Sequence, residues 1–188
     1  MIRFAACVLL CAVAATPAPG RTQAVDLALK EVLLEASREA PSFTDRFDAE
    51  VWLTDMSNRL ASKVPDPEER IQILKTAHAW ARRKNLEPEL VLAVMDIESN
   101  FDRFALSHAG ARGLMQIMPF WRDEIGEPRA DLFDIETNVR YGCTILRYYL
   151  DRENDNVRQA LARYNGSTGK RWYPDLVLGR LAKRWYRQ

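Results

Sequence analysis

An all-α protein is what this sequence predicts, and three observations carry the expectation. Apolar residues recur three and four positions apart along most of the chain. Proline and aspartate stand where helices begin, as in Pro65-Asp66-Pro67 and again at Asp134. No stretch alternates apolar and polar residues for long enough to make a strand. The 188 residues, 47% of them hydrophobic and 28% charged, suffice for one domain with its own core.

The first element is unlike the rest. Arg3 is followed by an apolar run over residues 4–15, and Thr16-Pro17-Ala18-Pro19-Gly20 breaks it. This is the layout of a secretory signal, expected over residues 1–24, with Ala15, Gly20 and Ala24 each offering a small residue for cleavage. The run is too short to span a bilayer as a mature helix. Leu10 stands before Cys11 where a lipoprotein signal places a small residue, so Cys11 reads as part of the run. Lipidation and membrane association stay open as the lesser alternative.

Residues 25–69 are expected to form a helical N-terminal extension, and residues 70–188 the main domain. Ala, Leu and Glu predict a helix over 25–40, stopped by Pro41. A second covers 45–62, with Trp52, Met56 and Leu60 spaced four apart on one face. Asp66 caps the third, Pro67 sits where a missing N–H costs nothing, and Glu69 completes a capping-box pattern. That helix runs to about Lys84, with Ile71, Leu74 and Ala81 inward. Pro88 starts the fourth, which ends near Glu98. A loop holds Asn100, Asp102 and Gly110, and a short helix is expected over 114–118, stopped by Pro119. Asp134 caps a long helix through Tyr149. Helices over 157–164 and 174–186 complete the chain.

Charge and cysteine count exclude several functions. Loss of residues 1–24 removes Arg3 and Arg21 and no acid, which takes the formal charge from +1 to −1. Such balance in an exported chain argues against nucleic acid as a partner. The stretch 170–188 is locally basic, with Lys170, Arg171, Arg180, Lys183, Arg184 and Arg187 against Asp175 alone. It reads as a solvated face, or as a contact to anionic envelope surface. Only Cys143 remains after export, so no internal disulfide is possible and the chain is expected to be a monomer held by packing. His78 and His108 are the only histidines, and no His-Glu-x-x-His pattern exists, so no metal and no cofactor are expected. Cys143 with His108 would suit a peptidase, but a thiol between Gly142 and Thr144 in mid-helix reads better as packed.

The chemistry centres on Glu98. Val91, Val94 and Glu98 share one helix face that is otherwise apolar. Desolvation and the nearby helix C-terminus both disfavour the carboxylate and raise its pKa. Such a group can act as a general acid near neutral pH. A glutamate at a helix end is also often harmless and partly exposed, so its surroundings must decide.

Those surroundings are Glu98-Ser99-Asn100-Phe101, then Gly113-Leu114-Met115-Gln116 within residues 107–119, then Asn138-Val139-Arg140-Tyr141-Gly142, and finally Ala162-Arg163-Tyr164-Asn165-Gly166. Over residues 70–185 the chain resembles the soluble lytic transglycosylase catalytic domain family, which is related to goose-type lysozymes. The family's Glu-Ser pair, Gly-Leu-Met-Gln run and Tyr-Asn pair are all present, in order. The resemblance implies a compact lysozyme-like helical fold and an exported, periplasmic enzyme acting on peptidoglycan glycan strands. It implies cleavage between N-acetylmuramic acid and N-acetylglucosamine with a 1,6-anhydro end. It implies Glu98 as acid and then base, with Tyr164 reaching Glu98 and the acetamido group. It also implies Ser99, Gly113, Met115, Gln116 and Asn165 as substrate-binding residues. On spacing alone, Tyr164 and Met115 would be core residues. The sequence Gly166-Ser167-Thr168-Gly169 departs from the Ala-Gly that often follows the family's Tyr-Asn pair. A lysozyme-type hydrolase is the nearest rival. A non-catalytic glycan-binding component of envelope machinery is the rival from another class.

Overall fold

The computed structural model describes residues 42–43 and 45–186, so the expected signal and the helix over 25–40 lie outside the described residues. The described residues form seven α-helices and a final π-helical turn, with no strand beyond two isolated bridges. The helices are α1 (Arg46–Leu60), α2 (Pro67–Arg83), α3 (Pro88–Glu98), α4 (Trp121–Ile125), α5 (Ile135–Arg152), α6 (Val157–Tyr164) and α7 (Trp172–Arg180). The π-helical turn spans Leu181–Trp185. None of these is long and apolar enough to cross a membrane.

The helix starts follow their capping chemistry. Asp45, Asp66, Asp134 and Asn156 each accept a bond from a free N–H of the first turn of α1, α2, α5 and α6. α3 lies at the centre. Pro88 and every residue from Leu90 to Asp96 are buried, against α2 on one side and α7 with the π-turn on the other. Each large aliphatic side chain buried there contributes roughly 2 kcal/mol from loss of apolar surface to water. α5 packs on α2 and α6. Trp52, Leu53, Met56 and Leu60 of α1 belong to the same hydrophobic core as the rest.

Several polar groups inside this core are paired. Asp96 of α3 has no exposed side-chain area and meets Lys63, Arg180 at 2.6 Å and the Trp185 indole N–H at 3.1 Å. The basic end is therefore only partly a solvated face, because Arg180 and the nearby Arg184 turn toward a buried carboxylate. Arg187 lies outside the described residues. Arg59 of α1 donates to the Arg184 carbonyl at 2.6 Å, and Arg184 donates back to the Arg59 carbonyl at 2.7 Å. Buried Arg70 donates to the Ser57 hydroxyl and the Val64 carbonyl. His78 stacks on Phe43, with ring centroids 3.6 Å apart, and its Nδ1 lies 2.8 Å from the Ser42 hydroxyl. Burial, assisted by Arg82, pushes its pKa down to about 4, so the ring is neutral in most solutions.

One expected element is absent. Residues 114–118 form no helix. Gly113 has φ +73° and Gln116 has φ +50°, left-handed values that no α-helix accommodates. The stretch folds as a tight turn instead. The Gln116 N–H bonds to the Gly113 carbonyl, and Arg112 exchanges both backbone bonds with Ile117 at 3.0 and 2.9 Å.

Candidate active site

Glu98 is the last residue of α3, where the helix leaves the core and its side chain is half-buried. Burial pushes its carboxyl up to about 7, against a hydrogen bond from Tyr173 that lowers it. No neighbouring carboxylate contributes to that shift. The Tyr173 hydroxyl, from the first turn of α7, donates to Glu98 Oε1 at 2.5 Å. Tyr173 is itself 1% exposed. Its own ionisation is driven far up by burial and then by the Glu98 charge, so it is a fixed donor.

The turn at residues 113–116 is held beside Glu98 by two locks. Ser99, next to Glu98, donates to the Leu114 carbonyl at 2.8 Å and accepts from the Phe101 N–H at 3.1 Å. The second lock is α5. Buried Asn138 accepts from the Met115 N–H at 2.8 Å and donates to the carbonyls of Leu132 and Arg112 at 2.7 and 2.8 Å. Glycine is required at 113 because a Cβ there would stand 2.4 Å from Asn138 Nδ2 and 2.6 Å from the Leu132 oxygen. One turn further along α5, Gly142 leaves room for Met115, whose Sδ would lie 2.2 Å from an added Cβ.

Of the sequence-predicted residues, Ser99, Gly113, Met115, Gln116 and Tyr164 are linked around the turn next to Glu98, in different capacities. Met115 has no exposed area, so its side chain fills the core and its carbonyl is what matters nearby. The Tyr164 hydroxyl donates to that Met115 carbonyl at 2.8 Å rather than to Glu98. The partner expected of Tyr164 is corrected accordingly: the phenol bonded to the glutamate is Tyr173. Tyr164 still feels the Glu98 charge, which after burial raises its pKa. Gln116 is half-buried and donates through Nε2 to the carbonyls of Gly113 and Ala105 at 3.0 and 3.2 Å, which leaves its amide oxygen without a partner in that pair of bonds. Asn165 is exposed at the end of α6. Sequence reasoning grouped Tyr173 with the basic end, and nothing in its spacing marks a partner 75 residues away.

Other chemistries find no support in this geometry. Cys143 is fully buried, and burial holds its thiol protonated, whereas His108 is exposed on a loop. Among the described residues no group of three His, Cys, Asp or Glu side chains is arranged to hold a metal ion. What remains is one protonatable carboxyl at a desolvated helix end, with a phenol donor and a rigid backbone turn beside it. That arrangement can give a proton to a leaving group and take one back.

The chain is similar to known transglycosylases. The family model described as "Transglycosylase SLT domain" matches residues 75–174. The chain is 37% identical over 100 residues to the transglycosylase of Enterobacteria phage PRD1, covering 53% of this chain and 37% of that protein. It is 32% identical over 114 residues to the membrane-bound lytic murein transglycosylase C of Actinobacillus pleuropneumoniae, covering 52% of this chain and 31% of that one. The chain therefore spans about a third of the length of these relatives. The solved structure of an inactive mutant of the lytic transglycosylase Slt from Pseudomonas aeruginosa aligns with a TM-score of 0.47 at 22% identity, covering 80% of this chain and 33% of that one.

Proposed function

Because the chain belongs to the transglycosylase SLT domain family, we propose that it is a peptidoglycan lytic transglycosylase that works through Glu98. The observation that carries the reading is a single carboxyl held up to about 7 by burial and bonded by Tyr173. Most glycosidases use two carboxyl groups, one as acid and one as nucleophile or base. Here one suffices, since the 6-hydroxyl of the muramic sugar is already tethered near the reacting carbon and has a high effective concentration.

Glu98 protonates the bridging oxygen, the bond from C1 to that oxygen breaks, and positive character develops on the ring. The 6-hydroxyl oxygen then bonds to C1, and the Glu98 carboxylate takes its proton. The products are a free N-acetylglucosamine hydroxyl and a 1,6-anhydro-muramic end, with no water consumed and Glu98 protonated again. Tyr173 supports the middle of this cycle, because its hydrogen bond strengthens when Glu98 is ionised. Tyr164 and Ser99 hold the 113–116 turn in place, and the Gln116 amide oxygen and Asn165 are available to sugar hydroxyl and acetamido groups. No metal and no cofactor takes part.

The setting follows from the same reading. Residues 1–24 act as an export signal, residues 25–69 extend the catalytic domain, and the enzyme works on the wall from the periplasm. Relatives named membrane-bound lytic murein transglycosylases C and F accord with an envelope location. The test is mass spectrometry of digested peptidoglycan. Anhydro-muropeptides, one water lighter than hydrolysis products, are expected from the native protein and none from Glu98→Gln. Hydrated reducing ends in their place would make the protein a lysozyme-type hydrolase. Binding with no cleavage would make it a glycan-binding component.

A further inference from the structure

Two concavities share one lining residue, Arg163. The first has a volume of about 590 Å³ and an aromatic wall of Phe120, Trp121, Tyr148 and Tyr149 between α4 and α5. The second, of about 360 Å³, lies between α6, the loop that follows it and the start of α7. Its charge is one-sided. Arg158, Arg163, Lys170 and Arg171 line it against Glu153 alone, in a chain whose formal charge is only +1.

Two of those cations are already neutralised, Arg163 by Glu153 and Arg158 by Asp175. Lys170 and Arg171 are exposed and have no carboxylate partner among the described residues. Thr168 and Gln159 add a hydroxyl and an amide to the lining, and Ala162 and Pro174 supply apolar wall. The placement is as telling as the charge. Arg163 immediately precedes Tyr164 and Pro174 immediately follows Tyr173, so the lining includes chain neighbours of both phenols that feel the Glu98 charge. The cavity is formed in part by Thr168 and Gly169, which belong to the stretch where the chain departs from the common family pattern after Tyr164-Asn165, and by Lys170 next to them.

If the site cuts peptidoglycan, as proposed above, the glycan itself brings no charge to it. The muramic carboxyl is consumed in the amide link to the stem peptide, and the negative charge of an uncut strand resides in that peptide's carboxylates. We propose that the cavity lined by Lys170 and Arg171 receives the stem-peptide carboxylates of a strand lying across Glu98. Lysine and arginine with no partner of their own offer charge-assisted bonds to such groups. A concave lining of this charge, beside an aromatic hollow that shares Arg163, suits a branched strand better than the flat face of a bilayer. The loop then sets a preference for peptide-bearing over bare glycan.

The test compares the native full chain with a Lys170→Gln/Arg171→Gln double variant on two substrates. One is intact peptidoglycan and the other is glycan stripped of peptides by an amidase, with the lactyl carboxyls that the amidase frees then capped as neutral amides. The variant should lose on the order of tenfold in kcat/KM on intact strands, which is what two exposed ion pairs are worth together. It should match the native protein on bare strands. The loss should shrink as salt rises, since charges at such a surface are screened within about 8 Å at physiological ionic strength. Calorimetry with the free tetrapeptide stem should show binding by the native protein and weaker binding by the variant. Equal loss on both substrates would assign the cavity to sugar, and no loss on either would leave the peptide unbound there; both overturn the proposal. So would loss of binding to phosphatidylglycerol vesicles with unchanged peptide binding. If the native protein forms no anhydro product from either substrate, the catalytic reading fails, and the tetrapeptide titration still decides the peptide site.

Discussion

Glu98 and Tyr173 stand 75 residues apart in the chain and share one hydrogen bond, and much of the proposed chemistry turns on it. Acting as acid, Glu98 must carry its proton at the start of the cycle. Turnover should therefore fall as pH rises through about 7, the value to which burial pushes the group. Glu98→Gln should reduce turnover by at least about 10²-fold, the lower end of what acid–base catalysis supplies. Because Tyr173 lowers the Glu98 pKa, its removal should raise it. Tyr173→Phe should then shift the alkaline limb to higher pH and cut maximal turnover about ten- to a hundredfold, the worth of a hydrogen bond to a charged group. A pH–rate profile of this variant reads both effects. Tyr164→Phe should leave the limb where it is, since its bond goes to the Met115 carbonyl, and it should cost about 1 kcal/mol in stability. An alkaline limb that follows Tyr164 instead of Tyr173 would exchange their roles. Sequence reasoning reached Glu98 through its apolar helix face. It took Tyr164 from the family resemblance as the phenol that reaches Glu98 and passed over Tyr173, because only the tertiary fold decides which phenol meets the carboxyl.

At the scale of elements, α5 and the 113–116 turn behave as one part. Asn138 satisfies three backbone groups of the turn and its flank, and Gly142 receives Met115 one helical turn away. Asn138→Ala would leave the Met115 N–H and the Leu132 carbonyl without this partner, each at a cost of about 1–3 kcal/mol, so the variant should melt well below the native protein. Gly142→Ala is gentler in character, because the atoms it meets belong to the Met115 side chain. With Met115 fully buried there is no free space to yield, and overpacking of this kind costs about 1–3 kcal/mol. Thermal melting and turnover of Gly142→Ala should fall together, since the displaced Met115 carries the carbonyl that Tyr164 holds. Helix α4 (Trp121–Ile125) was not foreseen and α7 starts two residues before the expected position, but the starts of α2, α3, α5 and α6 were legible from caps and periodicity. The turn was not, because Leu114, Met115 and Ile117 look like a helical stripe. Only a partner on α5 reveals why Gly113 and Gln116 take left-handed backbone.

For the whole molecule, two groups titrate in opposite senses. Glu98 has a folded pKa above its usual range, so the native state holds its proton more tightly than the unfolded chain. Its contribution to stability is present below the unfolded value and is lost as pH rises toward about 7. His78 has a folded pKa pushed down to about 4, so the unfolded chain takes up that proton first. Its contribution is present above the unfolded value and is lost as pH falls toward about 4. From these two groups, stability should show a plateau at mildly acidic pH and decline on both sides. Chemical denaturation across pH should show Glu98→Gln flattening the alkaline side and extending the acid-side decline up into the former plateau, where the His78 contribution is no longer offset. The fold class was legible from the sequence because hydrophobic spacing is local information. The pairing of Asp96 with Arg180 was not, because a basic run reads as solvated until the fold brings a buried carboxylate to it.

The exchange between Arg59 and Arg184 joins backbone positions 125 residues apart, and Asp96 meets Trp185 across 89. Contacts so distant along the chain must overcome a large loss of chain entropy before they return any stability, which makes them late events in folding. Tyr173 is on the same final stretch as Arg180 and Trp185, so it reaches Glu98 only as that closure occurs. A chain whose earlier helices have condensed would already hold Glu98 at the end of α3 but would lack its phenol donor. Competence of the site is thus expected to appear with the last kinetic phase of refolding, in step with burial of Trp185 and after most of the helical signal has returned.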